Sequence, residues 1–298
     1  MNTSNLKRSF ARTALATAAF GLAVASAQAV TLVGITSSNE LARIDTADIG
    51  AATRTAITGL DEGDRFVGLD LRPTDNMLYG VTLSNRIYTL NELTGVASFV
   101  SALSAPVVTS NLGWGLDFNP SADFSGGSSL RLVSSAGSNF AINAGTGVVG
   151  NMASNIGPGY SAVGYTNSVP GAAPTSTALY YISSTTDTLS VAPGAFNSPT
   201  ITTVGPLGLD VLSANGFEVL GDGTAYAAFN VDGGSSLVTG LYTIDLTTGT
   251  ATPLGSFNGT LSGLTVSAVP EPGTYAMLGL GLGLVGFIAF RRRAGAAT

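Results

Sequence analysis

Between residues 30 and 269, short runs of alternating apolar and polar residues recur, separated by turns rich in Gly, Asn, Asp and Ser. Period-two alternation with β-branched and aromatic residues predicts half-buried strands. Five runs share a form: Leu32–Thr36, Leu78–Thr82, Leu130–Ser134, Leu179–Ser183 and Ala225–Phe229, their starts 46 to 52 residues apart. Each is followed by a second alternating run, clearest at Arg86–Asn91 and Gly240–Asp245. A turn follows that contains Thr-Gly in three units (Thr94-Gly95, Thr146-Gly147, Thr248-Gly249), and then a third run. No long helical period lies between the two ends of the chain.

A fourth run in each unit carries Gly-x-[Asp/Thr/Glu]: Gly68-Leu69-Asp70, Gly115-Leu116-Asp117, Gly164-Tyr165-Thr166, Gly216-Phe217-Glu218 and Gly263-Leu264-Thr265. Four short strands repeated every 40–50 residues describe a propeller blade. The expected fold is therefore an all-β, five-bladed β-propeller. A β-sandwich or an open β-solenoid is the competing architecture. The body begins on a second-position strand at Leu32 and ends on a Gly-x-Thr strand at Leu261–Ser267. Placing that last strand innermost in the first blade closes the ring and leaves no open edge at the seam.

The two ends read differently. Residues 1–29 begin with Lys7, Arg8 and Arg12, continue through an apolar run, and finish at Ala27-Gln28-Ala29. This is the pattern of a signal peptide cut before Val30, which makes signal peptidase a partner during export. Residues 269–298 hold Pro270-Glu271-Pro272, a 16-residue uncharged apolar run from Tyr275 to Phe290, and Arg291-Arg292-Arg293. The run spans about 24 Å as a helix, slightly short of the usual span. The arginines are expected to stop it on the cytoplasmic side. The expected organisation is thus 1–29 signal peptide, 30–268 propeller, and 269–298 sorting segment with a transmembrane helix.

That C-terminal arrangement resembles the PEP-CTERM sorting signal of Gram-negative bacteria. The resemblance implies an exosortase as partner, a membrane-anchored precursor facing the periplasm, and a destination at the cell surface or in exopolysaccharide matrix. The body is similar to a family of exported bacterial repeat proteins of unknown function. The matching segments are Gly68–Pro73 with Leu78–Gly80, Gly115–Pro120, and Leu241–Asp245. That resemblance implies fold and location but no chemistry.

Composition narrows the chemistry. The chain has no Cys, no His, and one lysine, Lys7. Thiol nucleophiles, Ser-His-Asp relays and His or thiolate metal sites are excluded. Residues 30–269 hold 17 acidic residues and six arginines, a net charge of −11, which disfavours nucleic acid and anionic lipid as ligands. The best candidate site is Asp70, Asp117 and Glu218, with Thr166 and Thr265 at matching positions. On inner strands these would lie at similar height round the axis and offer oxygens to Ca²⁺; otherwise no cofactor is expected. The same carboxylates would serve a glycoside hydrolase or lyase acting on extracellular polysaccharide. They would equally serve as hydrogen-bond acceptors for the next blade's backbone. The acidic loop Asp61-Glu62-Gly63-Asp64 is a weaker cation candidate, and Trp114 reads first as a packed aromatic. The leading expectation is a non-enzymatic protein that binds a polysaccharide or surface-protein partner, or builds matrix.

Overall fold

The computed structural model describes residues 29–151, 155–232 and 237–269, together with Leu282. The signal peptide, Pro270-Glu271-Pro272, the apolar run and the Arg cluster lie outside the described residues, apart from Ala29, Val30 and Leu282. Among the described residues no helix is long and apolar enough to cross a membrane.

The first three strands are β1 (Thr31–Thr36), β2 (Glu40–Asp45) and β3 (Asp48–Ala56). The next blade is β4 (Phe66–Arg72), β5 (Met77–Thr82), β6 (Arg86–Leu90) and β7 (Ala97–Ala102). The third is β8 (Trp114–Phe118), β9 (Leu130–Ser134), β10 (Asn139–Ile142) and β11 (Val149–Asn151), with the short helix α1 (Pro120–Phe124) after β8. The fourth is β12 (Tyr160–Tyr165), β13 (Leu179–Ser183), β14 (Thr188–Ala192) and β15 (Thr202–Pro206). The fifth is β16 (Ser213–Val219), β17 (Ala225–Asp232), β18 (Leu237–Ile244) and β19 (Ala251–Phe257), after which β20 (Leu261–Val266) ends the body. Each blade is a four-stranded antiparallel sheet, and the first has the order β20-β1-β2-β3. The last strand therefore completes the first blade, with Leu32 opposite Val266 and Val33 opposite Thr265. Beyond the strand, the Ser267 amide donates to Thr31 O at 2.9 Å.

The inner strands β20, β4, β8, β12 and β16 pack side by side in a ring. Their glycines permit it. A Cβ on Gly216 would lie 2.4 Å from Leu264 Cβ and 2.5 Å from its backbone nitrogen, and one on Gly115 would lie 2.9 Å from Ala162 Cα. Apolar residues fill the wedges between blades. Val81, Ile87, Trp114, Leu116, Phe118, Leu130 and Ile142 form one such cluster between the second and third blades.

Register corrects one expectation. In the third blade Phe118 pairs with Leu130 and Asp117 with Arg131. In the fourth, Tyr165 pairs with Leu179 and Gly164 with Tyr180. Leu130 and Leu179 begin equivalent strands, so Gly164 stands where Asp117 does and Ala162 stands where Gly115 does. Thr166 falls two residues beyond the ring position.

Candidate functional site: the carboxylates at the hub

Asp117, Glu218 and Thr265 each sit one residue before the end of their inner-strand pairing, Asp70 sits two before it, and all four are buried. One carboxylate oxygen from each of the three acids lies within 4.8 Å of the others. Three of the side chains reach the next blade's backbone. Asp70 Oδ2 accepts from the Phe118 amide at 2.8 Å, and Asp117 Oδ1 from Tyr165 at 3.0 Å. Glu218 instead meets the Thr265 side chain of the first blade, 2.6 Å from Oε2, and Thr265 Oγ1 accepts from Leu71 at 3.2 Å. Four of the five blade junctions are fastened by these contacts. The junction after Gly164 is not, because that residue has no side chain.

The Thr265 hydroxyl lies 2.7 Å from Asp70 Oδ1 and 2.6 Å from Glu218 Oε2. It has one proton and so can donate to only one of them. The other contact requires a proton on the carboxyl, which then donates to the threonine oxygen. Electrostatics agrees. Burial, and then the charge of Glu218, push the Asp70 carboxyl well above its ordinary range. Asp117 is raised well above its range by burial and by the charges of Asp70 and Glu218. Burial also raises Glu218, against hydrogen bonds led by that of Thr265. Three ionised carboxylates held this close away from water would be prohibitively costly, and a shared proton relieves that.

The hub is closed at both scales. The axial space lined by Gly115, Ala162, Gly216 and Gly263 is about 10 Å³, at most enough for one water. Over the end where the inner strands finish runs the loop between β12 and β13. Its Gly171 amide donates to Pro73 O at 2.9 Å, and Ser168 bridges to Leu220. The second and fourth blades are not neighbours, so the first of these bonds spans the mouth. Thr166 belongs to this loop: its hydroxyl accepts from the Ala178 amide at 2.9 Å and takes no part in the ring.

The other candidates resolve locally. Asp64 accepts from the Arg65 and Ser84 amides at 2.9 and 3.1 Å, and Asp61 pairs with Arg86, so these two acids are tied to their own blade. Trp114 is buried and donates from Nε1 to Thr109 O at 3.1 Å. At the end where the inner strands begin, a cavity of about 220 Å³ opens among Thr36, Asn39, Arg65, Phe66, Trp114 and Ser262.

Residues 40–265 match the family model described as a domain of unknown function, DUF4394. The chain belongs to this family. Residues 268–293, adjoining the DUF4394 body, match the PEP-CTERM protein-sorting motif. The motif indicates export, a membrane-anchored sorting precursor and processing by an exosortase. No curated protein matches the chain. Among solved structures, regucalcin from Agrobacterium tumefaciens C58, described as calcium-binding, is 14% identical. The similarity covers 77% of this chain and 68% of that one, with a TM-score of 0.41. A protein of unknown function from Bacteroides thetaiotaomicron VPI-5482 is 12% identical, over 80% of this chain and 60% of that one, with a TM-score of 0.44.

Proposed function

We propose that the DUF4394 body is a non-enzymatic binding or structural protein of the cell surface or extracellular matrix, associated with exopolysaccharide and engaging its partner through loops at the ends of the ring. The observation that carries this reading is the sealed hub. Glycoside cleavage needs two carboxyls on either side of a bound sugar, with access for water. Asp70, Asp117 and Glu218 are buried, fastened to neighbouring blades and covered by the loop anchored at Pro73. The axial space of about 10 Å³ admits no sugar ring. Their arrangement suits a lock between blades.

The test is a reducing-end assay of the secreted protein on acidic and neutral polysaccharides, run beside a glycan array. Binding without turnover is expected. Turnover abolished by Asp70→Asn or Asp117→Asn in folded variants would establish the hydrolase or lyase instead.

A second reading has one observation in its favour: three carboxylate oxygens within 4.8 Å of one another are spaced to share a single cation. Three carboxylates and the Thr265 hydroxyl fall short of the six to eight oxygens of calcium, and all four residues are buried away from bulk water that would complete the set. A melting temperature unchanged by chelation excludes this reading, whereas a fall restored by Ca²⁺ establishes it.

A further inference from the structure

Among the described residues, Arg131 is a buried cation held only by neutral groups. It stands on β9, and in the other blades the equivalent positions are Tyr79, Tyr180, Tyr226 and Val33. Its Nε donates to the Tyr165 hydroxyl at 3.1 Å, Nη1 to Asn139 Oδ1 at 2.9 Å, and Nη2 to Asn197 Oδ1 at 2.9 Å. Among the described residues no carboxylate forms an ion pair with it. A guanidinium has five N–H groups, and these bonds use three. The residue is 3% exposed, and a buried charge without a counter-charge is costly.

The guanidinium borders a cavity of about 460 Å³ between the third and fourth blades, also lined by Asn119, Ser128, Phe196, Asn197 and Ser198. Amides and hydroxyls surround an unbalanced positive charge there, in a body whose net charge is strongly negative. Phe196, fixed edge-on against Tyr165 with centroids 4.9 Å apart, adds an apolar face. We propose that this cavity binds a carboxylate-bearing ligand the size of a sugar acid, with the carboxylate on Arg131, the hydroxyls on the amide and serine groups, and the ring against Phe196. One cation matches one monoanion; a phosphate dianion would leave net negative charge in the cavity. The planar fork of arginine suits a carboxylate.

The proposal deepens the glycan-binding reading and is separable from it, because the cavity does not include the hub carboxylates. The test is thermal shift and calorimetry of the secreted protein with sodium glucuronate, beside glucose, sodium acetate, sodium phosphate, and NaCl at matched ionic strength. Glucuronate is expected to raise the melting temperature by several degrees, and glucose and NaCl to leave it unchanged. Asn197→Asp places a carboxylate where Arg131 already donates. It is expected to raise the melting temperature without ligand and to weaken glucuronate at least tenfold. Arg131→Lys is expected to weaken it similarly, while Asp70→Asn, if folded, leaves affinity unchanged. Acetate acting as strongly as glucuronate would overturn the assignment to a sugar acid, and stronger binding of phosphate would overturn the monoanion. No ligand shift, with Asn197→Asp neutral or destabilising, would overturn the site altogether.

Discussion

Thr265, on the last strand of the body, holds its hydroxyl 2.7 Å from Oδ1 of Asp70 on β4, so the closing strand is tied to the second blade at the hub as well as to β1 along the seam. The same oxygen accepts from the Leu71 amide and contacts Glu218 of the fifth blade. Replacing it with valine keeps the shape and strands buried polar partners. Thr265→Val is expected to lower unfolding free energy by about 1–3 kcal/mol, and Thr265→Ser to lose much less. Urea denaturation of both variants checks this.

The hub also fixes the sign of a pH effect. Asp70, Asp117 and Glu218 all have raised affinity for protons in the folded state. A raised folded value means that stability is fully present below the unfolded value and is lost as pH rises through the folded one. The melting temperature is therefore expected to climb as pH falls from neutral toward ordinary carboxylate values. Asp117→Asn should flatten the profile; a wild-type profile that falls throughout acidification would contradict the account.

Gly216 tests the packing of the inner ring. A methyl group there would meet Leu264 Cβ at 2.4 Å and its backbone nitrogen at 2.5 Å, and the backbone cannot step aside cheaply. Gly216→Ala is expected to cost about 1–3 kcal/mol or more as overpacking, against little change for Gly194→Ala, where an added Cβ meets nothing within 4 Å. Differential scanning calorimetry separates the two.

At the exit from the body, buried Glu92 acts as a clasp. Its Oε1 lies 2.8 Å from Arg43 Nη1 and accepts from Ser267 Oγ at 2.8 Å and the Val269 amide at 3.0 Å. Val269 immediately precedes Pro270-Glu271-Pro272. Glu92→Gln should leave the fold intact while speeding amide exchange at Val269, read by hydrogen–deuterium exchange; unchanged exchange would show that Glu92 does not hold the exit.

Much of the architecture could be read from residue pattern because each blade repeats one strand order, and because the Gly-x-acid motif marks the position nearest the axis. The three carboxylates were identifiable for the same reason. In the fourth unit residue type and register diverge. Gly164 looks like the inner-strand glycine, yet the step from Asp70 to Asp117, repeated once more, lands on Gly164 itself. Pairing Tyr165 opposite Leu179, as Phe118 lies opposite Leu130, would have shown it. The covering loop hid the shift by lengthening the fourth unit. That the carboxylates are sealed followed from nothing in their spacing, since closure depends on a bond from Gly171 to a distant blade. Arg131 did carry a signal, a charge in a strand whose counterparts hold tyrosine or valine, but the neutrality of its partners is a three-dimensional fact.

The most direct test of the central claim, a closed hub whose acids share protons, is a ¹³C carboxyl NMR titration of Asp70, Asp117 and Glu218 in the secreted protein. At least one carboxyl is expected to be still protonated at neutral pH, with no change on adding calcium or polysaccharide. Three carboxylates ionising together in the ordinary acidic range, or moving when either is added, would contradict the claim.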